Sequence, residues 1–292
     1  MPELAEVETI RSQLQRFLPL EIVNISTSSF ANNFIKKTKS NFPFPLPTIE
    51  GSSLIKINRH GKYLIFQFNN VSINVSSNVS NDQNQLYLLS HLGMSGYWQI
   101  RQKNNNSIKL KHVHLSLVGK DISFDYIDPR RFGMFALMDQ KNLKLKLTTQ
   151  GPDLTSKKLN TTHIKKALLR YPNRSLKKIL LDQTLFAGMG NYLANEVCAH
   201  ARILPCRLAK DILIQEVSTI NKTIKKVVNI AIKSKGTTLS KGGYKNAEGE
   251  FGKGINNLVV FYQEICGMCG QEKVVKTYID GRGTYYCPKC QH

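Results

Sequence analysis

Apolar residues near the start of the chain recur at helical spacing. Val7, Ile10, Leu14, Phe17 and Leu18 share one face, and Pro19 stops the run. The pattern predicts one amphipathic helix with Pro2 and Glu3 at its leading edge. From Glu21 to Met138 the texture changes. Short β-rich segments at 53–58, 63–68, 86–91, 114–118 and 122–127 are separated by Gly, Asn and Lys clusters, the spacing of a β-sandwich or barrel. Within this region, 69–85 is an Asn/Ser low-complexity stretch that reads as a disordered loop insertion. Between 162 and 235 the apolar period becomes helical, around 164–169, 176–181, 192–200 and 208–232, with a break at Gly188-Met189-Gly190-Asn191. The Gly-, Lys- and Asn-rich 236–254 reads as a flexible loop. Two Cys-x-x-Cys pairs with β-type sequence between them close the chain. The expected class is therefore α+β and multidomain: a helix plus β-rich domain over 1–140, a helical domain over 150–235, and a segment over 236–292 that ends in a metal ribbon.

Charge changes the picture most. The 292 residues carry 41 Lys+Arg against 20 Asp+Glu, a net charge of +21. Such a chain attracts a polyanion, nucleic acid first and an anionic membrane surface second. No apolar run approaches the length of a membrane span, and no signal peptide precedes the acidic start, so the expected location is intracellular, cytoplasmic or nucleoid-associated. Four of the six cysteines form Cys266-x2-Cys269 and Cys287-x2-Cys290. Four thiolates on two tight turns suit a closed tetrahedral site, so one structural zinc ion is expected, with redox chemistry as the competing reading.

Several residues carry candidate chemistry. Removal of Met1 would leave Pro2 with a free secondary amine, whose reference pKa of roughly 7.7 to 8.0 lies near neutrality. A deprotonated amine attacks electrophilic carbon, and a secondary amine condensed with an aldehyde gives a cationic iminium, an electron sink. Glu3 follows with a carboxylate; Pro-Glu also suits the first turn of any helix. Arg282, between the Cys pairs in Gly281-Arg282-Gly283-Thr284, would project from a tight turn toward a phosphate, or be a solvated arginine. Gly190-Asn191 opens a helix whose free N–H groups suit an anion, and Lys177, Lys178 and Arg174 could add charge; a plain packing corner is the alternative. Met94, in His91-Leu92-Gly93-Met94-Ser95-Gly96, and Arg130 with Phe132, in Asp128-Pro129-Arg130-Arg131-Phe132-Gly133, lie on turns. Apolar loop residues can wedge between base pairs and arginine can fill the hole left by an extruded base, although each turn could be ordinary. Lys62 enters a strand, where a lysine is usually solvated.

Together these residues resemble the formamidopyrimidine-DNA glycosylase family, the bacterial-type base-excision repair enzymes for oxidised purines. The matching motifs are Pro2-Glu3-Leu4 with Glu6-Val7-Glu8, Gly61-Lys62-Tyr63-Leu64, His91 to Gly96, Asp128 to Gly133 and Gly151-Pro152-Asp153. Leu181-Asp182-Gln183 running on to Gly190-Asn191 and Glu196, and the ribbon with Arg282 and Cys290-Gln291, complete them. They span nearly the whole chain in order. Ala5 stands where the family usually has a second proline, Tyr192-Leu193 follows Asn191, and the Asn/Ser insertion is not typical.

The resemblance implies an N-terminal helix plus β-sandwich, a helix–two-turn–helix DNA-binding domain and a C-terminal zinc-finger β-hairpin, with damaged double-stranded DNA in the cleft between domains. It implies that Pro2 attacks C1′ and expels the base, that Glu3 is a general acid, and that Lys62 and Arg282 serve the first and second eliminations. By the same resemblance Met94, Arg130 and Phe132 are void-filling and wedge residues, and His112, Arg174, Lys177 and Asn191 are phosphate contacts. Cys266, Cys269, Cys287 and Cys290 hold zinc, and 236–254 closes over the extruded base. A monomer that binds duplex DNA and no membrane is expected. Arg130 with Phe132 favours oxidised purines; a same-fold glycosylase for oxidised pyrimidines and a non-catalytic zinc-ribbon nucleic-acid-binding protein are the rival readings.

Overall fold

The computed structural model describes residues 2–30, 44–71, 85–103, 110–238 and 244–292. It divides into two compact units. The first takes Pro2, Glu6–Thr148 and Thr238–Gly252; the second takes Glu3–Ala5, Thr149–Thr237 and Lys253–His292.

Helix α1 (Leu4–Gln15) supplies its first residues to the second unit and the rest to the first. It ends before Pro19, in a turn that leaves Phe17 and Leu18 packed on the sandwich core. The first unit is two antiparallel sheets. One runs β1 (Leu20–Glu21), β3 (Ser53–His60), β4 (Tyr63–Asn69), β5 (Leu86–His91), β9 (Met134–Met138). The other runs β2 (Asn24–Thr27), β7 (Val113–Val118), β8 (Ile122–Ile127), β6 (Tyr97–Gln102). Side chains alternate across a strand, and the sequence uses both faces of the five-stranded sheet. Leu64, Phe66, Phe68, Leu86, Leu88, Phe135 and Leu137 join the sandwich core with Trp98, Phe124 and Tyr126. The intervening Ile65, Tyr87, Leu89, Ala136 and Met138 form a second cluster, covered by Leu143 of helix α2 (Gln140–Thr148). Two-sided burial explains why these strands read as apolar runs rather than clean alternation. The Asn/Ser stretch has only its ends, 69–71 and 85, within the described residues.

The second unit packs α3 (Thr161–Arg170), α4 (Leu176–Leu180), α5 (Asn191–His200) and α6 (Ile214–Lys233) around Ile179, Leu193, Val197, Ile220 and Ile224. Asn160 and Ser175 cap α3 and α4 by accepting N–H bonds of His163 and Lys178. The run expected as one helix over 208–232 is divided: Ala209–Asp211 is a short 3-10 turn, and α6 begins at Ile214. The unit ends in a hairpin, β10 (Val275–Ile279) and β11 (Arg282–Tyr286). Gln291, almost fully buried, ties the chain end to the helices by accepting from Cys287 N (2.8 Å) and donating to Ile203 O (2.9 Å).

The described part of 236–254 is held rather than loose. Tyr244 and Ala247 are buried in the sandwich core, Ala247 N donates to Gln13 Oε1 (2.9 Å), and Asn246 Oδ1 accepts from Glu248 N and Glu250 N. Residues 239–243 lie outside the described ones.

Candidate functional site

In the second unit the N-terminus of α5 meets Glu3. The Glu3 carboxylate accepts from Tyr192 N (3.0 Å) and Leu193 N (3.3 Å) and is 2% exposed. First-turn N–H groups find no acceptor within their own helix and lie at the positive end of its dipole, a placement that favours a carboxylate. Gly190, the residue preceding α5, lies so close that a Cβ there would overlap the Glu3 carboxyl carbon. The Gly-x-Gly-Asn break thus has a packing reason: glycine lets Glu3 onto the helix end.

The hairpin in the same unit carries Arg282. Its two-residue turn is Asp280-Gly281, both with positive φ (48° and 71°), the chemistry such a tight hairpin favours. Arg282 is therefore the exposed first residue of β11, not the apex of a turn. Lys177, expected to add charge for a phosphate at the start of α5, has no exposed area. Its Nζ donates to Gly283 O (2.8 Å) and Thr284 Oγ1 (2.7 Å). Burial, helped by the Arg282 charge and opposed by Cys198 and Glu3, pulls this ammonium down to about 8. Asn191 Nδ2 donates to the same Gly283 O (3.0 Å), and its Oδ1 has no partner among the described residues. Arg174 is half-buried, stacked on Tyr171 (3.8 Å to the ring centre) and paired with Asp182 (3.4 Å).

The Sγ atoms of Cys266, Cys269, Cys287 and Cys290 lie within 4.8 Å of one another, with Cys269 and Cys287 at 4.0 Å. Tetrahedral zinc with Zn–S bonds of about 2.3 Å holds sulfurs roughly 3.8 Å apart, so the donor set and its size both fit that ion. Met268 N donates to Cys266 Sγ (3.4 Å), and the backbone N–H groups of Gln271 and Glu272 hold the Cys269 thiol down to about 6. Of the other cysteines, Cys198 is buried among the helices and Cys206 is exposed.

The first unit carries the remaining candidates. Pro2 is buried. Lys62, expected to enter a strand, occupies the Gly61-Lys62 turn between paired His60 and Tyr63, with Gly61 at φ 57°. Close to it, His91 Nδ1 accepts from Gly93 N (3.1 Å), which leaves the proton of the neutral ring on Nε2. Burial, with the charges of Lys62 and Lys146, pushes His91 down to about 4, so it is neutral at pH 7.

Met94 (44% exposed) and Phe132 (56% exposed) stand on two turns joined by one buried residue, Asp128. Asp128 Oδ1 accepts from Ser95 Oγ (2.6 Å) and Arg130 N (3.2 Å), and Oδ2 accepts from Gly133 N (2.7 Å). A Cβ at Gly93 would overlap the Phe132 backbone, so glycine allows the two turns to touch. The exposed Arg130 guanidinium lies 5.0 Å from the Phe132 ring centre. His112 is exposed at φ 62°, and its carbonyl accepts from Asp128 N (3.0 Å).

Thus the first unit brings Met94, Arg130 and Phe132 together, and the second groups Glu3, Lys177, Asn191 and Arg282. Arg174 stands apart, held by its own ring and carboxylate. Sequence reasoning did not single out Asp128 or His91 as separate actors. The signals were present: an aspartate two residues before an arginine-bearing turn, and a histidine two before a positive-φ glycine.

Comparison with known proteins extends these observations to the whole chain. The family model of the formamidopyrimidine-DNA glycosylase N-terminal domain matches residues 1–135, and that of the formamidopyrimidine-DNA glycosylase H2TH domain matches 150–242. The formamidopyrimidine-DNA glycosylase of Prochlorococcus marinus strain MIT 9301 is 34% identical over 311 aligned positions, covering 100% of both chains. That of Syntrophomonas wolfei is 31% identical, again over 100% of both. Among solved structures, the Lactococcus lactis Fpg in complex with DNA containing an abasic site superposes with a TM-score of 0.82 at 28% identity, covering 100% of each chain. The MutM (Fpg) protein of Thermus thermophilus gives 0.80 at 28% identity, covering 99% of this chain and 98% of its own.

Proposed function

From the premise that this chain belongs to the formamidopyrimidine-DNA glycosylase family, we propose that it is a bifunctional DNA glycosylase and abasic-site lyase. It excises oxidised purines, formamidopyrimidines and 8-oxoguanine, from duplex DNA. The observation that carries the reading is the Glu3 carboxylate, the residue after Pro2 in the chain, fixed by two α5 N–H groups.

In this reading the Pro2 amine, exposed by removal of Met1, bonds to C1′ as the glycosidic bond breaks, and the base leaves with a proton. Glu3 supplies acid to the opening sugar or the departing base. The resulting iminium acidifies C2′. Loss of a C2′ proton expels the 3′-phosphate, with Lys62 moving the proton, and a second elimination expels the 5′-phosphate with Arg282 as acid. Hydrolysis then releases Pro2. Met94, Arg130 and Phe132 fill the space of the extruded nucleotide; their exposure on a rigid Asp128 frame supports that role. His112, Asn191 and Arg174 contact phosphates, and Lys177, which has no exposed area, adds its charge from within rather than by contact. A neutral His91 with its proton on Nε2 offers one more donor.

Cys266, Cys269, Cys287 and Cys290 hold one zinc ion, which supplies folding free energy to the ribbon. The domain boundaries of this reading are 1–140, 150–235 and 236–292, and the protein acts as a monomer inside the cell. No helix among the described residues is long and apolar enough to cross a membrane. Strand cleavage of matched duplexes tests the substrate class. Faster cleavage at 8-oxoguanine than at dihydrouracil is expected; the reverse order would move the protein to the oxidised-pyrimidine branch, and no cleavage of either would leave a zinc-ribbon binding protein.

A further inference from the structure

The outer edge of β11 is occupied by a helix. In a two-stranded hairpin one edge of each strand faces away from its partner, and on β11 that edge includes Gly283 O and Tyr285 N. Gly283 O accepts from Asn191 Nδ2 (3.0 Å) and Lys177 Nζ (2.8 Å), and Tyr285 N donates to Asn195 Oδ1 (2.7 Å). Asn195 Nδ2 in turn donates to Asn191 O (2.6 Å). Asn195 has no exposed area.

The match is metric as well as chemical. Asn191 and Asn195 are four residues apart on α5, a rise of about 6.0 Å. Gly283 and Tyr285 are two apart on a strand, about 6.6 Å. One face of the helix therefore offers a donor and an acceptor at the repeat of a β-strand edge, and completes the hairpin as a third strand would. Two strands alone are marginally stable in water, so their place depends on such support. The grip also reaches Arg282: Thr284 Oγ1, which accepts from Lys177, donates to Arg282 O (3.0 Å).

We propose that Asn195 is a positioning residue for Arg282: its carboxamide, in register with Asn191, locks β11 onto α5 and so fixes where the guanidinium stands. Asparagine suits the position because one planar group must accept from Tyr285 N–H and donate to Asn191 O at once. Alanine leaves both backbone groups buried without these partners. Buried aspartate is favoured in its neutral form, which keeps the acceptor for Tyr285 N–H and an O–H donor for Asn191 O. Glu196, the next residue on α5, holds the chain leading into the ribbon in a similar way, by accepting from Val259 N, Val260 N and Phe261 N. It grips backbone remote in sequence from Arg282 and serves as the comparison.

This role rests on the lyase reading above, and the test separates the two. Duplex carrying a preformed abasic site is mixed with excess enzyme and followed through a single turnover. Borohydride trapping reports attack by Pro2, and the ratio of second- to first-elimination product reports Arg282. Zinc content per chain is measured on every variant. Asn195→Ala is expected to trap within about twofold of wild type while the product ratio falls about tenfold, as the loss of a buried hydrogen-bond partner would give. Asn195→Asp is expected to keep its zinc and recover most of the ratio. If alanine releases the zinc, the aspartate variant alone decides, by its ratio. An unchanged ratio in zinc-loaded Asn195→Ala, an equal fall of trapping and ratio, or an aspartate variant with a ratio tenfold down would overturn the role. A wild-type protein that cannot be trapped removes the lyase reading, and this role falls with it.

Discussion

Glu3 and Phe132 are both assigned to the damaged nucleotide, yet they are built in opposite ways. Glu3 is sealed against α5 with its oxygens on fixed N–H donors, and Gly190 has no side chain so that it can be there. Phe132 is more than half exposed, and the order beneath it lies in Asp128, Ser95 and Gly133. Met94 and Arg130 share that frame, whereas Lys177 and Asn195 share the buried state of Glu3. A group that must deliver a proton at a set place gains from being oriented beforehand, since misplacement by about an ångström can cost a hundredfold in rate. A wedge must present apolar surface to water until a base pair arrives, so the protein fixes its backbone and leaves its tip bare.

The comparison breaks most completely at the metal ribbon. In the zinc reading, chelation, or Cys266→Ser, removes a structural site of a kind worth about 10 kcal/mol or more. The hairpin should then lose its fixed position and duplex binding should fall. Trp98, the single tryptophan of the chain, is buried in the sandwich core and should keep its emission. A parallel loss of Trp98 emission would show that the ribbon supports more than the helical unit.

Gly190→Ala attacks the sealed carboxylate alone. The new methyl group would displace Glu3, and base excision should drop by a factor on the order of 10² to 10⁴, the usual worth of a positioned acid. Trapping on a preformed abasic site should suffer far less. Excision at the wild-type rate would show that Glu3 needs no such cradle.

How much of this was legible in the sequence follows from distance along the chain. Helical periods, apolar strands and Cys-x-x-Cys spacing are local signals, and they located α1, β3, β4, α5 and the four thiols. Whatever joins remote segments was silent. Asn195 and Tyr285 are 90 residues apart, Lys177 and Gly283 are 106 apart, and neither side chain announces its partner. Lys177 read as a charge for a phosphate at the start of α5, and the acceptors that make its burial tolerable lie on a hairpin much later in the chain. Lys62 read as a strand residue because only the pairing of His60 with Tyr63 reveals the turn.

Lys177 also yields a pH signature. Its proton affinity falls from the ordinary 10.5 to about 8 on folding, chiefly through burial. Between these values the unfolded chain holds a proton that the native protein has released. Native stability from this group therefore rises with pH across that window, and the burial penalty is complete below it. The stability difference between wild type and Lys177→Met, followed by thermal unfolding at several pH values, should shift in favour of wild type from about pH 8 to 10.5. A difference independent of pH would mean that the ammonium is as well solvated as an exposed lysine.

The smallest effect on the fold is expected at the wedge. Phe132→Ala removes a largely exposed ring and should change stability by no more than about 0.5 kcal/mol. Capture of lesion-containing duplex should weaken about tenfold, in line with the ~1–3 kcal/mol carried by one aromatic–base contact. A variant that loses stability but keeps its affinity would make Phe132 part of the frame rather than the tool.

The central claim is that the Pro2 amine forms the bond to DNA. Borohydride reduction during reaction with an abasic duplex, followed by digestion and mass mapping of the crosslink, tests it most directly. The account predicts a single adduct on a chain lacking Met1, located at Pro2, and none when the N-terminus is extended by a few residues. An adduct on Lys62 or any other lysine, or full trapping by the extended chain, would contradict it.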